Sequence, residues 1–313
     1  MNFQQLRYVR EAVRQGLNLT EAANVLFTSQ PGISKQIKEL EEELGVDIFV
    51  RRGKRLVDLT EPGRTVVEVI ERLLAEAENL KQVGREFADR DSGSLTIATT
   101  HTQARYALPA VVQEFRSRFP KVRLSLQQGS PTQIAEMVIA GGADLAIATE
   151  ALDHYPELLA LPCYTWHHCV IVPRAHPLAR VKQLTLEELA RYPLITYSPE
   201  FTGRSHVDQA FVAKGLKMDV VLTAIDADVI KTYTEMGLGV GIIAAMAFDP
   251  KRDGKLHAVD AGHLFRDNTT RIAIKRAAYL RRYTYAFMQM FAPQLTPEIV
   301  DKARQAKGES YEL

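Results

Sequence analysis

Long hydrophobic runs, cysteine and an excess of either charge are what this 313-residue chain has little of. No stretch approaches the roughly 18 consecutive apolar residues that a membrane span needs. The opening MNFQQLRYVREAV is polar and amphipathic, without the apolar core of an export signal, so the cytoplasm is the expected compartment. Net charge is only +1. That excludes a protein that coats nucleic acid by general basicity, and any such contact must come from a local patch. With 46% hydrophobic and 25% charged residues the composition is that of a globular protein, long enough for two or three cores. There is no internal repeat and no low-complexity segment.

The two cysteines, Cys163 and Cys169, flank His167 and His168 in CYTWHHCVIV. If Cys163 to Val172 is one strand, the thiols stand about 20 Å apart at about 3.3 Å per residue. A disulfide needs Cα atoms within about 7 Å. The same spread stops Cys163, His167 and Cys169 from sharing one metal ion, so core packing is expected and no metal site.

What is present is concentrated in residues 18–55. Asn18 is placed to cap a short helix, with Glu21 able to reach back to it, and Ala22, Ala23 and Leu26 form a small inner face. Phe27-Thr28 breaks the pattern. Thr28 or Ser29 caps a second helix, Pro31 lies in its first turn, and Gly45 ends it. Ile33, Ile37, Leu40 and Leu44 give this helix its apolar stripe. The opposite face carries Ser29, Gln30, Ser34, Lys35 and Lys38, beside Pro31, an inventory suited to base edges and phosphates in a major groove. Downstream, Ile48–Val50 and Leu56–Val57 are β-like, with a Gly53-Lys54 turn between them. Arg51, Arg52, Lys54 and Arg55 therefore charge the tip of a wing. A first helix over residues 2–15, with Phe3, Leu6, Val9 and Val13 inward, completes a three-helix domain for double-stranded DNA.

Thr60-Glu61-Pro62 opens a long helix that runs to about Asp89. Val66, Ile70, Leu73, Ala77, Leu80, Gly84 and Phe87 repeat at 4-3-4-3-4-3, a heptad seam that implies a partner helix. Residues 89–94 are polar and unpatterned, a hinge. Beyond them strands alternate with helices, which predicts a mostly parallel sheet.

A helix-turn-helix carrying SQPGISKQIKELEEELGVDIFVRR, a linker helix, a hinge and an α/β remainder resembles the LysR-type transcriptional regulators over the whole chain. The effector half is similar to the CysB subgroup, which regulates sulfur assimilation and cysteine biosynthesis, at ATTHTQARY (98–106), ATE (148–150), YTWHHC (164–169) and YSPEFTGRS (197–205). The resemblance implies an α/β fold class with an all-α winged helix-turn-helix N-terminal domain and a two-lobed periplasmic-binding-protein-like effector domain. The expected layout is DNA-binding domain 1–59, linker helix 60–89, hinge 90–94 and effector domain 95–313. Lobe I takes 95–161 and 268–313, lobe II 162–267, with chain crossovers near Ala160–Cys163 and Leu264–Thr269. It also implies a homotetramer, contact with RNA polymerase and no cofactor.

Carried over from the subgroup, the effector residues are Thr100, Thr102, Gln103, Thr149, Trp166 and Thr202. Their chemistry agrees. Thr100, Thr102 and Thr149 stand at strand ends where α/β sheets bind ligands. Gln103 and Thr202 lie at helix starts, whose unpaired N–H groups and dipole attract an anion. The expected effector is small and anionic: acetylserine, sulfate, thiosulfate or a related metabolite. The alternatives are a LysR-type regulator of another pathway, such as sulfonate use, and a solute-binding protein. His101, His167 and His168 have no carboxylate or serine at a telling spacing, so the chain is not expected to be an enzyme.

Overall fold

The structure is a computed structural model and describes residues 1–53, 55–88 and 92–306. The chain divides into two compact units. One runs to Ala88 and takes in Ala277–Tyr279; the other comprises the remainder.

In the first unit, α1 (Phe3–Arg14), α2 (Leu19–Val25) and α3 (Gln30–Leu44) are followed by β1 (Phe49–Arg52), β2 (Arg55–Leu59) and α4 (Glu61–Ala88). Each start has a local cause. Asn2 caps α1 in a reciprocal box with Gln5, and the Asn18 side chain accepts from Thr20 N and Glu21 N. Ser29 caps α3, and Gly45 ends it at φ +69. Thr60 Oγ1 accepts from Gly63 N at 2.9 Å at the start of α4. The core joins Leu6, Val9, Ala12, Ala22, Ile33, Ile37, Leu40, Ile48 and Phe49.

Two inward positions are corrected. Phe3 is 55% and Leu44 40% exposed. Both lie one turn beyond the packed part of their helices, and polar residues take the inner positions instead: Gln5 and Glu41 are buried. The heptad seam is also divided. Ile70 and Leu74 bury against this unit's own core, with Val66 and Val67 packed beside them, whereas Val69, Leu73 and Leu80 are exposed. The unpartnered stripe is thus rotated from the expected one. Phe87's side chain lies outside the described residues, as do positions 89–91 of the expected hinge.

The second unit begins with β3 (Gly93–Thr99), a π-helical turn (Gln103–Ala107) and α5 (Leu108–Arg118). β4 (Val122–Gln128), α6 (Pro131–Ile139), β5 (Leu145–Ala148) and β6 (Leu158–Trp166) follow. Next come β7 (His168–Pro173), α7 (Leu186–Leu189), β8 (Leu194–Tyr197), α8 (Thr202–Ala213), β9 (Val220–Ala224), α9 (Ala227–Glu235), β10 (Val240–Ala244) and β11 (Leu256–Asp260). The chain closes with β12 (Asn268–Lys275), α10 (Arg282–Phe291) and α11 (Pro297–Gln305).

Two five-stranded sheets result, ordered β4-β3-β5-β12-β6 and β11-β7-β10-β8-β9. Each is half parallel rather than mostly so. β12 runs antiparallel to β5 and β6, and β7 antiparallel to β10 and β11. The expected strand Cys163–Val172 is two strands. β6 pairs through Trp166 with Asn268 on β12, and β7 begins at His168 in the other sheet. The first crossover is therefore at His167, not Ala160–Cys163, and the return spans 261–267. Cys163 and Cys169 end up in different lobes, both free. Alternation along the strands builds a core on either face. In β10, Val240 and Ile242 join the cluster under α8, and Ile243 the one under α9.

Candidate functional site

Two sites emerge, one in each unit. In the first, α3 exposes Ser29, Pro31, Lys35 and Lys38, with Gln30 and Ser34 half-buried beside them. The lysines are steered by carboxylates one turn on, Lys35–Glu39 at 3.7 Å and Lys38–Glu42 at 3.6 Å. Such exposed pairs are worth little and break readily for a phosphate. The turn before the helix holds Phe27 at φ +50 and 97% exposed.

In the wing, Arg52 pairs in register with Arg55 across the two-residue turn, and Gly53 has φ +63. Lys54 lies outside the described residues. The four basic residues are not equivalent. Arg52 and Arg55 are exposed and form no ion pair among the described residues. Arg51 Nη1, by contrast, is 2.6 Å from Glu41 Oε2 as an ion pair. The buried Glu41 carboxylate also accepts from Ile48 N at 2.8 Å and Phe49 N at 3.1 Å. Glu41 therefore fastens the root of the wing to α3, and Arg51 belongs to that joint. The sequence reading missed Glu41 because a carboxylate in LEEEL looks like one more solvated charge.

In the second unit a pocket of about 400 Å³, counted to its open mouth, is lined by Thr100, Thr102, Gln103, Thr149, Trp166, Tyr197, Phe201 and Gly203. Five of the six expected effector residues come together here. The side chain of the sixth, Thr202, lies outside the described residues, while its neighbours Phe201 and Gly203 line the wall. Each arrives at the end of an element: Thr100 after β3, Thr149 after β5, Trp166 ending β6, Tyr197 ending β8 and Gly203 opening α8. The helix beginning at His101 and α8 both start at the pocket, and Phe201 does not cap α8 with a side-chain bond. First-turn N–H groups have no partner within their helix, so both starts offer donors and positive dipole density.

No lining residue carries a formal charge. Gln103 is locked by both ends of its amide. Nε2 donates to Thr270 Oγ1 at 3.1 Å, and the Tyr164 hydroxyl donates to Oε1. Tyr197 is fully buried, which pushes its phenol up; Ala244 N donates to its oxygen at 3.1 Å, and Thr102 is hydrogen-bonded to it. Behind the wall, His168 lies edge-on to Trp166, ring centroids 5.2 Å apart, with neither ring nitrogen hydrogen-bonded. Burial, then the nearby His206 and His167, lower its pKa to about 3. A Cβ on Gly203 would stand 3.0 Å from His168 Nε2, so glycine lets the start of α8 approach this ring. Tyr197, Phe201 and Gly203 were missed as site residues, although the YSPEFTGRS motif contains all three.

Comparison with known proteins places both units. Residues 3–64 match the family described as bacterial regulatory helix-turn-helix protein, lysR family, and residues 88–296 match the LysR substrate binding domain. The chain is 63% identical over 307 residues to the HTH-type transcriptional regulator SsuR of Burkholderia cenocepacia, covering 98% of this chain and 100% of that one. It is 58% identical over 313 residues to CysB of the same organism, with both chains covered in full. The crystal structure of the cofactor-binding domain of the Cbl transcriptional regulator superposes with a TM-score of 0.66 at 46% identity, covering 69% of this chain and 95% of that one.

Proposed function

From the premise that the chain belongs to the LysR family of bacterial transcriptional regulators, we propose that it controls sulfur-assimilation and cysteine-biosynthesis genes in response to a small anion held in this pocket. It is a DNA-binding transcriptional regulator and not an enzyme. Its relatives named SsuR, CysB and Cbl are sulfur-related regulators of the same family.

The observation that carries the ligand reading is the uncharged lining between two helix starts. Dipoles, hydroxyls and backbone N–H groups suit a small desolvated oxyanion. The lining also holds no carboxylate, so it offers a protonated anion no strong acceptor. Sulfate, thiosulfate and the carboxylate of acetylserine fit that chemistry. Thr100, Thr102, Thr149 and Thr202 are the proposed donors, Gln103 a locked wall, and Trp166 the apolar side.

In the first unit, Ser29, Gln30, Pro31, Ser34, Lys35 and Lys38 are proposed to enter the major groove, with Arg52, Lys54 and Arg55 on adjacent phosphates. The exposed Val69, Leu73 and Leu80 support pairing of α4 with its counterpart in a second copy, which presents two α3 helices to two half-sites. We place the working form as a homotetramer acting in the cytoplasm with RNA polymerase. Among the described residues no helix is long and apolar enough to cross a membrane.

Ligand must favour one conformational state, because equal affinity for both shifts nothing. The test is calorimetric titration of the full chain with sulfate, thiosulfate and acetylserine, followed by footprinting on a sulfur-gene promoter with and without the anion that binds. Binding of one of them with an altered footprint is expected. No binding of any, or unchanged footprints, refutes the reading.

A further inference from the structure

Beside the pocket, the same π-helical turn that presents Gln103 sends a neighbouring side chain across to the other lobe. Tyr106 packs on the core cluster of Cys169, Ile171, Ile195 and Ile230, all of which belong to the sheet of β7, β8 and β10 or to α9. Its hydroxyl donates to Asp228 Oδ1 at 2.7 Å and accepts from Lys231 Nζ at 2.9 Å. Lys231 is almost buried and is held within its own lobe by Ala247 O at 2.9 Å and Asp253 Oδ1 at 3.2 Å. The socket is thus built by one lobe, and the phenol that fills it comes from the other. Arg105 Nε reaches Asp228 Oδ2 at 2.6 Å on the outer side.

We propose that Tyr106, Asp228 and Lys231 form a bolt between the lobes and act as positioning residues, setting effector affinity without touching the effector. This rests on the anion-pocket reading above. The groups are matched for the task. Burial works against the Asp228 carboxylate, but the Tyr106 hydroxyl and Lys231 ammonium more than offset it and hold its pKa below the usual range. Burial also opposes the charge on Lys231, and its oxygen partners again prevail. Burial raises the Tyr106 phenol, which keeps its proton for Asp228.

Thr102 and Gln103 lie within four residues of Tyr106 on one helical segment, so withdrawing the phenol displaces the start of the helix that lines the pocket. His101, Asp226 and Asp228 also lie close enough to suggest a cation site. Arg105 and Lys231 already neutralise Asp228, so this is an ion-pair cluster and not a metal site.

If the lobes interconvert between closed and open, apparent affinity is the closed-state affinity scaled by the closed fraction. Removing the phenol oxygen deletes two hydrogen bonds to charged groups, which corresponds to about a hundredfold or greater loss of closed population. The test uses the full chain carrying Tyr106→Phe or Asp228→Asn, with sulfate as probe. Hydrogen exchange is followed at residues 101–108 and 227–235, and sulfate affinity is measured by calorimetry.

The expected result is faster exchange in both segments of the free variants, return to wild-type protection with saturating sulfate, and weaker sulfate binding by that factor. Unchanged exchange in the free variants overturns the bolt. So does exchange that stays fast with sulfate bound, because that marks a merely structural role. If wild-type chain binds no sulfate, the pocket reading fails for that anion, and the ligand-free comparison still decides the bolt.

Discussion

Replacing Arg52 with alanine should weaken operator binding through salt dependence, whereas replacing Arg51 should act mainly on stability. An arginine on a phosphate releases condensed counterions, so losing one such contact reduces the slope of log affinity against log salt by about 0.9 per protomer. Arg52 is exposed and free to make that contact. Arg51 is 30% exposed and sits 2.6 Å from a Glu41 carboxylate that is 3% exposed, so most of its charge is already balanced inside the protein. Breaking a fully buried ion pair costs about 3–5 kcal/mol. Here the arginine is partly solvated and Glu41 keeps its two backbone donors, which brings the figure to roughly 1–2 kcal/mol. The assay is fluorescence anisotropy on a duplex with dyad-related half-sites across a salt series, paired with a urea melt. Equal slope changes in the two variants, with no loss of stability in Arg51→Ala, would refute the assignment of Arg51 to the joint.

At the same joint, Glu41→Ala leaves Ile48 N and Phe49 N without an acceptor and should destabilise the first unit by about 2–4 kcal/mol, whereas Glu41→Gln retains an acceptor and should lose about 1; denaturant melts that fail to separate them count against it. Gly63→Ala should prevent normal folding of this unit, since the new Cβ would stand 2.0 Å from Ile48 O, a carbonyl fixed by the backbone; an unshifted melting temperature is the contrary result. Thr102→Val should reduce sulfate affinity about tenfold or more by removing a hydrogen bond to a charged group, with little change in DNA binding without effector, as judged by calorimetry and anisotropy. For His168, folding lowers the pKa from 6.5 to about 3, so the unfolded chain takes up the proton first; stability is fully present above pH 6.5 and falls by roughly 1.4 kcal/mol per unit as pH drops towards 3. His168→Leu should flatten that part of the stability–pH curve, and an unchanged curve argues against the buried neutral ring.

Local chemistry made the helices legible, and tertiary pairing hid the rest. Ser29, Gly45 and Thr60 announce helix boundaries because caps act within three residues of the backbone they satisfy. Thr100, Thr102, Gln103, Thr149 and Trp166 could be grouped because the subgroup resemblance supplied them and the first four sit at strand ends or a helix start, and five dispersed positions met in one pocket. The break at His167 was not legible. The residues on either side, Cys163–Trp166 and His168–Val172, contain no glycine or proline to mark a turn, and only the choice of β12 or β10 as partner separates β6 from β7. The seam on α4 failed for a related reason: a heptad count identifies an apolar stripe but not which neighbour it meets, and Ile70 found its own domain. Tyr106 gave no signal either, because its partners lie more than a hundred residues away at Asp228 and Lys231.

The division between a neutral pocket and a charged bolt has a physical reason. Were cations from both lobes to line the pocket, their repulsion would oppose closure whenever no anion was present, by about 4 kcal/mol for two unit charges 4 Å apart at a partly screened boundary. The two hydrogen bonds at Tyr106, about 3 kcal/mol together at the lower end, would be largely cancelled by that repulsion. Helix starts and hydroxyls avoid this repulsion, because partial charges distributed over several N–H groups remain partly solvated in the empty cleft and converge only on a bound oxyanion. A bolt of modest strength is then sufficient to keep the lobes near the balance point, where a small anion has the greatest leverage. Introducing an arginine on each lobe's side of the pocket wall, for example Thr149→Arg with Phe201→Arg, should therefore tighten anion binding less than the added charge suggests and should increase exchange at 101–108 in the free protein. Calorimetry and hydrogen exchange on that one variant test both halves of the argument, and slower exchange without anion would contradict it.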